Sequence, residues 1–405
     1  MASFTLTSST AVTTTQTLSA ATDIGFIGSL ASLVTGSSLG VSITSTGANA
    51  LLVNNGAINA SIAVQSLASF GLINAGLIAS ESFAISQAIA DSEDTTTSIQ
   101  NTGTIISSAT SAIRILEGGA SITNAGYIGG GSTTILVGSS NSGLGSSILN
   151  SGTIAREGGS GGGTAIQGLS GLSIANTGTI IGSILGSNFN DIIDNRAGTI
   201  TGTISLSNGT NQFRGGDLGE SVSTGNGNDS LRGNGGDDSL ASGGGTDTLW
   251  GGLGDDSLAG TSGGSVLLRG GFGEDTLDGG SGDDALFGGA DNDQLTGNDG
   301  TDTLTGGGGA DTFNFRDVTD SDPGQALDRI TDFQRGLDIV NLVDLPGTLT
   351  FAGTGPFTGG GTGSVVYSKT GGALQVRVDT NGDGVTDLQF IVEGTAKLSA
   401  ADFIL

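Results

Sequence analysis

The 405-residue sequence predicts an all-β protein folded as a β-solenoid, with an N-terminal parallel β-helix, then a parallel β-roll, then a C-terminal β capping domain. Three observations favour this fold class. A nine-residue glycine–aspartate motif recurs in tandem in the second half, an asparagine–glycine motif recurs at intervals of 19 to 27 residues in the first half, and only 4% of the residues are aromatic. Tandem repeats of these lengths are typical of solenoids, whose narrow cores are ladders of Ile, Val and Leu.

Changes in the repeating motif predict four segments. Residues 1–41 carry neither motif, and we expect them to cap the first coil or to be a strand exchanged with a neighbouring chain. Residues 42–205 are predicted to form the β-helix, residues 206–314 the β-roll, and residues 315–405 the capping domain. A solenoid needs its open ends covered, because exposed strand edges pair with other chains.

The first half repeats the motif Asn-x-Gly-x-Ile. Asparagine and glycine both tolerate the left-handed backbone of a tight turn, and asparagines at one corner of successive coils can form a hydrogen-bonded ladder. Short strands and turn residues are also compatible with a two-sheet sandwich of hairpins. Recurrence of one turn at coil-length intervals favours the solenoid. The copies are Asn54–Ile58, Asn74–Ile78, Asn101–Ile105, Asn124–Ile128, Asn150–Ile154, Asn176–Ile180 and a stretched copy, Asn195–Ile200.

The second half repeats the motif Gly-Gly-x-Gly-x-Asp-x-Leu-x. Good copies are Gly233–Ala241, Gly251–Ala259 and Gly279–Phe287. Glycine permits positive φ and leaves backbone carbonyls free to face an ion. Aspartate adds a hard oxygen ligand of the kind that Ca²⁺ prefers, and the leucine points inward from a short strand. A flexible glycine–aspartate linker is the alternative, but a linker has no need of a leucine in every repeat.

This repeat resembles the nonapeptide repeat of the RTX family, whose repeats coil into a Ca²⁺-binding parallel β-roll. The resemblance implies coils of about eighteen residues, several bound Ca²⁺ ions, and stacking of aspartates that lie eighteen residues apart. Gly260–Arg269 is ten residues long and is expected to place Ser265 at the aspartate position, with a weak or missing ion there. Decayed copies upstream carry Asp191 and Glu220 at that position. The candidate ligands are Asp229, Asp247, Asp284 and Asp302 on one edge, and Asp238, Asp256, Asp275, Asp293 and Asp311 on the other.

The last ninety residues carry two further resemblances. Asp328–Val340 resembles the segment that closes the β-roll in serralysin-type secreted proteins, and Ala401–Leu405 resembles the C-terminal signal of type I secretion substrates. They imply passage through the type I secretion machinery and an extracellular or cell-surface location. The first eighteen residues lack the basic start and apolar run of a secretory signal peptide, which agrees with that route.

A second candidate calcium site lies in the loop 379–387. Oxygen-bearing side chains alternate there, at Asp379, Asn381, Asp383 and Asp387, and glycine is sixth, as in an EF-hand loop. The loop lacks the glutamate at its twelfth position. Asp387 at the ninth position can serve in its place, which favours a calcium site. A hairpin turn between residues 374–378 and 388–392 is the alternative, and the two are compatible.

Composition limits the functions that remain. The net charge is −27, so the acidic half repels itself unless cations bind it, and nucleic acid is not an expected partner. There are no histidines, which removes the Ser-His and Cys-His nucleophile arrangements and the histidine zinc motifs. Cysteine is also absent, so disulfides contribute nothing. No stretch reaches the roughly eighteen apolar residues of a transmembrane segment.

These observations together predict a secreted, non-catalytic, calcium-dependent structural protein of the cell surface or extracellular matrix, of the surface-layer, fibre or biofilm-matrix type. It is expected to fold on Ca²⁺ binding after export and to self-assemble into a homo-oligomer or polymer, with cell-surface polysaccharide as a further partner. Two alternatives stay open. One is a polysaccharide-modifying enzyme, of the lyase or epimerase type, on the β-helix. The other is an adhesin or ice-binding module, using the threonine row Thr104, Thr153, Thr179 and Thr199.

Overall fold

The computed structural model describes residues 4–6, 11–20, 22–29, 31–34, 39–43, 50–67, 69–87, 96–139, 144–157, 163–261 and 263–405. The chain forms two compact units, Met1–Gly216 and Asp217–Leu405. Within the described ranges the regular structure is β-strand except for one short 3₁₀ helix, Ala400–Asp402. Both units are built mainly from ladders of parallel strands, which confirms the predicted all-β solenoid class.

The unit Met1–Gly216 is a parallel β-helix with three strands in a coil. Corresponding strands of successive coils pair in register, so each ladder runs along the helix. The first ladder contains Phe4–Leu6, Ile24–Ile27, Ala50–Asn54, Phe70–Asn74, Thr96–Asn101, Gly119–Asn124, Ser146–Asn150, Leu172–Asn176, Ile192–Asp194 and Gln212–Arg214.

The other two ladders share two long strands, Ala57–Ser66 and Leu77–Gln87, whose first and second halves belong to different ladders. Such a strand turns a corner of the coil at a bulge instead of a loop. One ladder also contains Ala11–Val12, Ser32–Val34, Thr104–Ser107, Tyr127–Gly130, Thr153–Arg156, Thr179–Ile181 and Thr199–Ile200. The other also contains Gln16–Leu18, Leu39–Ile43, Ile113–Ile115, Thr133–Val137, Thr164–Gly168, Ser183–Leu185 and Ile204–Leu206.

The segment expected to cap the first coil is instead part of the ladders. Phe4–Leu6 pairs with Ile24–Ile27, and Gln16–Leu18 pairs with Leu39–Ile43, both in parallel. Leu18, Ile27 and Leu33 are fully buried in the same core as the later coils. Alternating apolar residues are therefore enough to continue the coil here, without the Asn-x-Gly turn on which the sequence prediction depended.

The unit Asp217–Leu405 begins as a β-roll with two strands in a coil. Each strand buries an apolar residue such as Leu249 or Leu258 between the two sheets, and Ser265–Phe272 buries two, Val266 and Leu268. One ladder contains Ser230–Gly235, Thr246–Leu253, Ser265–Phe272, Ala285–Ala290, Thr303–Gly308 and Arg329–Ile330. The facing ladder contains Ser221–Thr224, Ser239–Ser242, Ser257–Gly260, Thr276–Asp278, Gln294–Thr296, Thr312–Asn314, Ile339–Asn341 and Phe403–Ile404.

The last part of the chain closes the roll. Arg329–Ile330 pairs next with Leu388–Val392, which belongs to an antiparallel sheet with Ala373–Asp379 and Gly363–Thr370. Leu349–Gly353 extends that sheet in parallel. Phe315 stacks on Phe390 with ring centroids 4.2 Å apart, so aromatic side chains fill the core where the narrow roll ends.

Candidate calcium sites

The repeat aspartates form two buried ladders in the β-roll, on opposite edges. Each aspartate immediately precedes a strand, except Asp247, which lies within Thr246–Leu253. In eight of the nine repeat aspartates the Oδ1 atom accepts a backbone N–H from the residue one coil earlier. Asp256 accepts from Asp238 at 2.8 Å, and Asp302 accepts from Asp284 at 2.8 Å. The same bond, at 2.7–3.0 Å, is made to Asp238, Asp247, Asp275, Asp284, Asp293 and Asp311.

In seven of these eight aspartates, all except Asp247, the second carboxylate oxygen is buried without a hydrogen-bond donor in the described chain. Within the described part of the chain, no hydrogen-bond donor reaches Oδ2 of Asp238, Asp256, Asp275, Asp284, Asp293, Asp302 or Asp311. Native proteins pair nearly all buried polar atoms, so a repeated series of this kind indicates a ligand that the protein chain alone does not supply.

The first glycine of each repeat makes room for this oxygen. A Cβ atom on Gly251 would overlap Oδ2 of Asp256, and one on Gly297 would overlap Oδ2 of Asp302. The second glycine has a separate role, because Gly252 and Gly289 adopt φ of 131° and 130°. The two glycines are thus required for different reasons, close approach and left-handed backbone.

Burial makes the ionised form of these carboxylates unfavourable. Desolvation, with a smaller contribution from neighbouring carboxylates, raises the pKa of Asp275 and Asp293 to about 7 and of Asp284 to about 8. The hydrogen bond to Oδ1 opposes the shift without cancelling it. Near neutral pH the folded ladder therefore needs protons or cations. A divalent cation with oxygen ligands meets that need, so the residues fit Ca²⁺.

The ladders continue past the last nonapeptide repeat. Asp302 donates its N–H to Oδ1 of Asp328 at 2.8 Å, and Asp311 donates to Oδ1 of Asp338 at 3.2 Å. Desolvation raises the pKa of Asp328 to about 8, and no donor in the described chain reaches its Oδ2. The sequence prediction missed both residues because they follow at 26 and 27 residues instead of 18. The signal was present, since each begins an Asp-x-apolar triplet.

An outer ladder runs beside the buried one, at the residue before each aspartate. These side chains are exposed and accept N–H from the following coil, which is the opposite direction. Asp237 accepts from Asp255 at 3.0 Å, and Asp255 accepts from Glu274 at 2.8 Å. The sequence template treats this position as variable, yet it is Asp, Asn or Glu in six of the nine repeats.

The ten-residue repeat differs from the prediction by one position. Val266, and not Ser265, pairs with Asp247, and it donates its N–H to Oδ1 of Asp284 at 2.8 Å. The additional residue is accommodated in the turn before the strand, so the strand register is kept. A buried valine therefore stands where the other repeats have a carboxylate.

The loop 379–387 is a hairpin turn between Ala373–Asp379 and Leu388–Val392. Both oxygens of Asp379 accept backbone N–H groups, from Gly382 at 2.7 Å and Gly384 at 2.9 Å. Oδ2 of Asp387 accepts from the backbone and the hydroxyl of Thr380 at 2.7 and 2.6 Å. Asn381 and Asp383 each accept the N–H two residues further on. These acceptors serve the turn itself, unlike the Oδ2 atoms of the roll.

Nowhere in the described residues do three acidic side chains converge into a group that could hold a metal. An ion in the roll would therefore take one or two aspartate oxygens and complete its shell from backbone carbonyls, which is within the range of Ca²⁺ coordination. Asp191, in the decayed repeat, has both oxygens occupied, by the N–H groups of Leu172 at 2.7 Å and Ser187 at 2.8 Å.

These features define a repeat protein of the β-roll class with buried carboxylate ladders. Residues 163–405 match the family described as peptidase M10 serralysin C terminal, which is three fifths of the chain. The chain belongs to this family, and the resemblance to RTX proteins is confirmed. The matched region is the non-catalytic part of serralysins, its RTX repeats generally bind Ca²⁺, and such domains belong to type I secreted proteins.

Other comparisons add little. No curated protein matches the chain significantly. A solved structure, the AlgE6R3 subunit of the Azotobacter vinelandii mannuronan C5-epimerase, is 27% identical over 40% of this chain and 78% of its own, with a TM-score of 0.25. Similarity at that TM-score carries no argument about this chain. The described residues contain no helix of the length and apolarity needed to cross a membrane.

Proposed function

We propose that the protein is a secreted, non-catalytic structural component of the cell surface or extracellular matrix, of the surface-layer, fibre or biofilm-matrix type. Its unit Asp217–Leu405 folds on Ca²⁺ binding after export, and the folded protein then assembles with further copies. The observation that carries the proposal is the series of buried aspartates whose Oδ2 atoms find no donor in the described chain. Calcium supplies the positive charge that such a ladder requires.

The proposed ligands in the roll are the repeat aspartates, together with backbone carbonyls of the glycine turns. They are Asp229, Asp238, Asp247, Asp256, Asp275, Asp284, Asp293, Asp302 and Asp311. A separate and weaker site is proposed in the loop formed by Asp379, Asn381, Asp383 and Asp387. Its oxygens are already used by the turn, so an ion there would add to an existing structure instead of creating it.

The calcium requirement fits the route of export. Inside the cell free calcium is scarce, and the acidic half stays unfolded and able to pass through the type I secretion machinery. Extracellular calcium modules bind at about 10⁻⁴–10⁻³ M, so the ladder fills and folds outside. Folding is then driven by the binding free energy of the metal.

Self-assembly is supported by apolar side chains on the outer face of the β-helix. Ile24, Leu149 and Ile192 are exposed along one ladder of parallel strands. A shallow groove of about 570 Å³ beside Ile192 is lined by Ser147, Ser173 and the exposed ring of Phe189. Flat faces of this kind pack against a second copy when charge does not oppose it.

The decisive experiment combines spectroscopy and microscopy. Purified protein, stripped of metal at pH 7.5, is titrated with Ca²⁺ or with Mg²⁺ as the control, and circular dichroism and electron microscopy are recorded at each step. We expect Ca²⁺ alone to increase β-structure cooperatively at millimolar or lower concentration and to produce ordered assemblies that chelator dissolves. Unchanged dichroism on adding Ca²⁺ contradicts the folding proposal. If calcium orders the protein but electron microscopy shows only single particles, the assembly proposal is contradicted and the folding proposal is not.

The two alternatives receive less support. In the register of the coils Tyr127 lies between Thr104 and Thr153, which interrupts the threonine row that an ice-binding face would use. For an enzyme, the notable group is Tyr127, which donates its hydroxyl to Glu157. Burial and this carboxylate raise its pKa to about 12, which keeps the phenol protonated and unsuited to act as a base.

A further inference from the structure

The β-roll carries its positive charge in one place. Between Asp217 and Asn314 the sequence contains eighteen acidic residues and only two basic ones, Arg232 and Arg269. The strand register puts both arginines in one column on the outer face of the same sheet, alternating with aromatic residues. The column, here called the arginine–aromatic stripe, consists of Arg232, Trp250, Arg269 and Phe287.

Aromatic rings hold the two guanidinium groups in position. The guanidinium carbon of Arg232 lies 4.2 Å from the ring centroid of Trp250, and that of Arg269 lies 4.6 Å from the centroid of Phe287. Exposed cation–π contacts of this kind contribute little to the stability of a fold, so stability gives little reason to gather these residues here. They do keep two planar donors ordered at the surface of the sheet.

A groove adjoins the stripe. It has a volume of about 490 Å³ and is lined by Arg232, Trp250, Gly252, Leu253 and Phe272. Phe272 and Leu253 are paired in register and are 63% and 59% exposed. The groove therefore combines glycine backbone, the apolar side chains of Leu253 and Phe272, and one guanidinium group, that of Arg232, while Arg269 lies next along the stripe.

We propose that the arginine–aromatic stripe, with Leu253 and Phe272, is a binding surface for a linear anionic polysaccharide. A guanidinium group binds a carboxylate or sulfate through two parallel hydrogen bonds, and the apolar side chains contact the C–H face of a sugar ring. The two arginines are two coils apart, about 9–10 Å at the usual strand spacing, so a polymer crossing these coils meets two cations at that separation.

Charge complementarity favours a polyanion with repeated charges over an acidic protein. The groove is shallow and open, without the deep pockets that anchor protein side chains, whereas a sugar chain needs only a flat apolar surface and regularly spaced donors. This inference deepens the proposed function, because it assigns the polysaccharide partner to particular residues. Binding is expected to need calcium, since bound ions reduce the negative charge of the same unit.

The only tryptophan of the chain, Trp250, reports directly on this surface. Protein in calcium buffer is titrated with short oligouronates, sulfated oligosaccharides and a neutral dextran oligomer, and tryptophan emission is followed. We expect saturable changes with the acidic ligands and none with dextran; the stronger of the two acidic ligands identifies carboxylate or sulfate as the group recognised. The double variant R232Q/R269Q should bind at least about tenfold more weakly.

The control variant is R316Q, which makes the same exchange at one exposed arginine outside the stripe, where Arg316 pairs with Asp278 at 3.6 Å. Its affinity should match that of the unmodified protein. Equal weakening in R316Q, or equal affinity in R232Q/R269Q with only a lower melting temperature, overturns the proposal. An emission change that follows protein concentration alone also overturns it, in favour of a second copy of the chain. Calcium-dependent ordering is measured on the same samples without glycan. If the protein is ordered by calcium but binds none of the acidic oligosaccharides, polysaccharide binding at the stripe is rejected and the folding proposal stands.

Discussion

The β-helix and the β-roll each bury a ladder of short polar side chains, but the two ladders are completed differently. In the β-helix each asparagine donates from Nδ2 to Oδ1 of the asparagine in the next coil, at 2.7–2.8 Å, and also reaches a backbone carbonyl. In the roll eight repeat aspartates accept at Oδ1, and all of these except Asp247 leave Oδ2 without a donor in the described chain. The asparagine ladder runs through Asn54, Asn74, Asn101, Asn124, Asn150, Asn176 and Asn195.

The difference follows from the chemistry of one atom. An amide both donates and accepts, so a stack of asparagines satisfies itself from coil to coil. An ionised carboxylate only accepts, so a stack of aspartates leaves one oxygen in each coil without a donor and accumulates negative charge. In the described chain the asparagine ladder is therefore satisfied by the protein itself, except at Oδ1 of its first member, Asn54, whereas the aspartate ladders need protons or cations.

Removing calcium should have the largest effect, because it should unfold one unit and leave the other folded. In chelator at pH 7.5 we expect residues 217–405 to lose nearly all amide protection from hydrogen exchange, while the described coils of residues 50–206 keep theirs. The reason is that burial of unneutralised carboxylates opposes folding only in the second unit. Exchange measured by mass spectrometry resolves the two units. Equal protection in both units with chelator present would contradict the distinction.

Converting one rung of the asparagine ladder into a carboxylate should have the next largest effect. Asn124 donates to Oδ1 of Asn150 at 2.8 Å and to the carbonyl of Thr153 at 3.1 Å. The variant N124D replaces this donor by a negative charge that faces acceptors, and should lower the free energy of unfolding by about 3–5 kcal/mol at pH 7.

The matched control is T123D, one residue earlier and exposed to solvent. Its unfolding free energy should change by less than about 0.5 kcal/mol. Chemical denaturation followed by circular dichroism measures both variants. If N124D were as stable as T123D, the hydrogen bonds of the asparagine ladder would not contribute to the stability of the unit.

Protons should substitute for calcium. Desolvation raises the pKa of Asp238 and Asp302 to about 7 and of Asp284 to about 8, whereas the pKa of an aspartate in the unfolded chain is about 3.9. A group whose folded pKa is raised stabilises the fold fully below the unfolded pKa and loses that contribution as pH rises through the folded value. Metal-free protein should therefore order its second unit at pH 5 and lose it by pH 8.

The measurement is a pH series of circular dichroism in metal-free buffer, repeated with calcium. Calcium should keep the unit ordered at pH 8, where protons no longer do so. If the second unit were disordered at pH 5 without metal and ordered at pH 5 with calcium, charge neutralisation would not be sufficient and ion coordination itself would be required.

The reverse exchange, aspartate to asparagine in the roll, should have a moderate effect. Asp293 accepts from Asp275 at 2.9 Å, and Oδ1 of an asparagine keeps that bond. The variant D293N removes one negative charge and one ion ligand. Metal-free protein should therefore order its second unit at a higher pH, while the calcium concentration at the midpoint of ordering should rise about tenfold. The control D283N changes an exposed residue of the outer ladder and should leave the midpoint within about twofold. A midpoint shifted equally by both variants would assign the calcium effect to overall charge.

Sequence periodicity was enough to predict the solenoid class, because the repeat length is visible in the chain. The stacking of aspartates eighteen residues apart was predicted from the coil length that the resemblance to RTX proteins implies. Periodicity failed where the number of residues between repeats changed while the role of the position in the ladder stayed the same. Asp328 and Asp338 continue the ladders after long insertions, and Val266 takes the position expected for Ser265 because the turn absorbs the additional residue. The direction of each hydrogen bond, and thus which oxygen lacks a donor, depends on coil geometry that no spacing encodes.

Asp191 offers the finest test, because it is a buried aspartate in the β-helix unit. Its two oxygens accept N–H groups from Leu172 and Ser187, so it has the residue type of the roll and the completed hydrogen bonds of the asparagine ladder. If an oxygen without a donor is what creates the calcium requirement, D191N should leave the calcium midpoint unchanged. It should instead lower the unfolding free energy of its own unit by about 1–3 kcal/mol, since an NH₂ group would face an N–H donor. Calcium titration and denaturation of D191N beside D293N separate the two explanations. A calcium midpoint shifted equally by both variants would mean that any buried aspartate creates the requirement, and the contrast between a self-completed and an ion-completed ladder would fail.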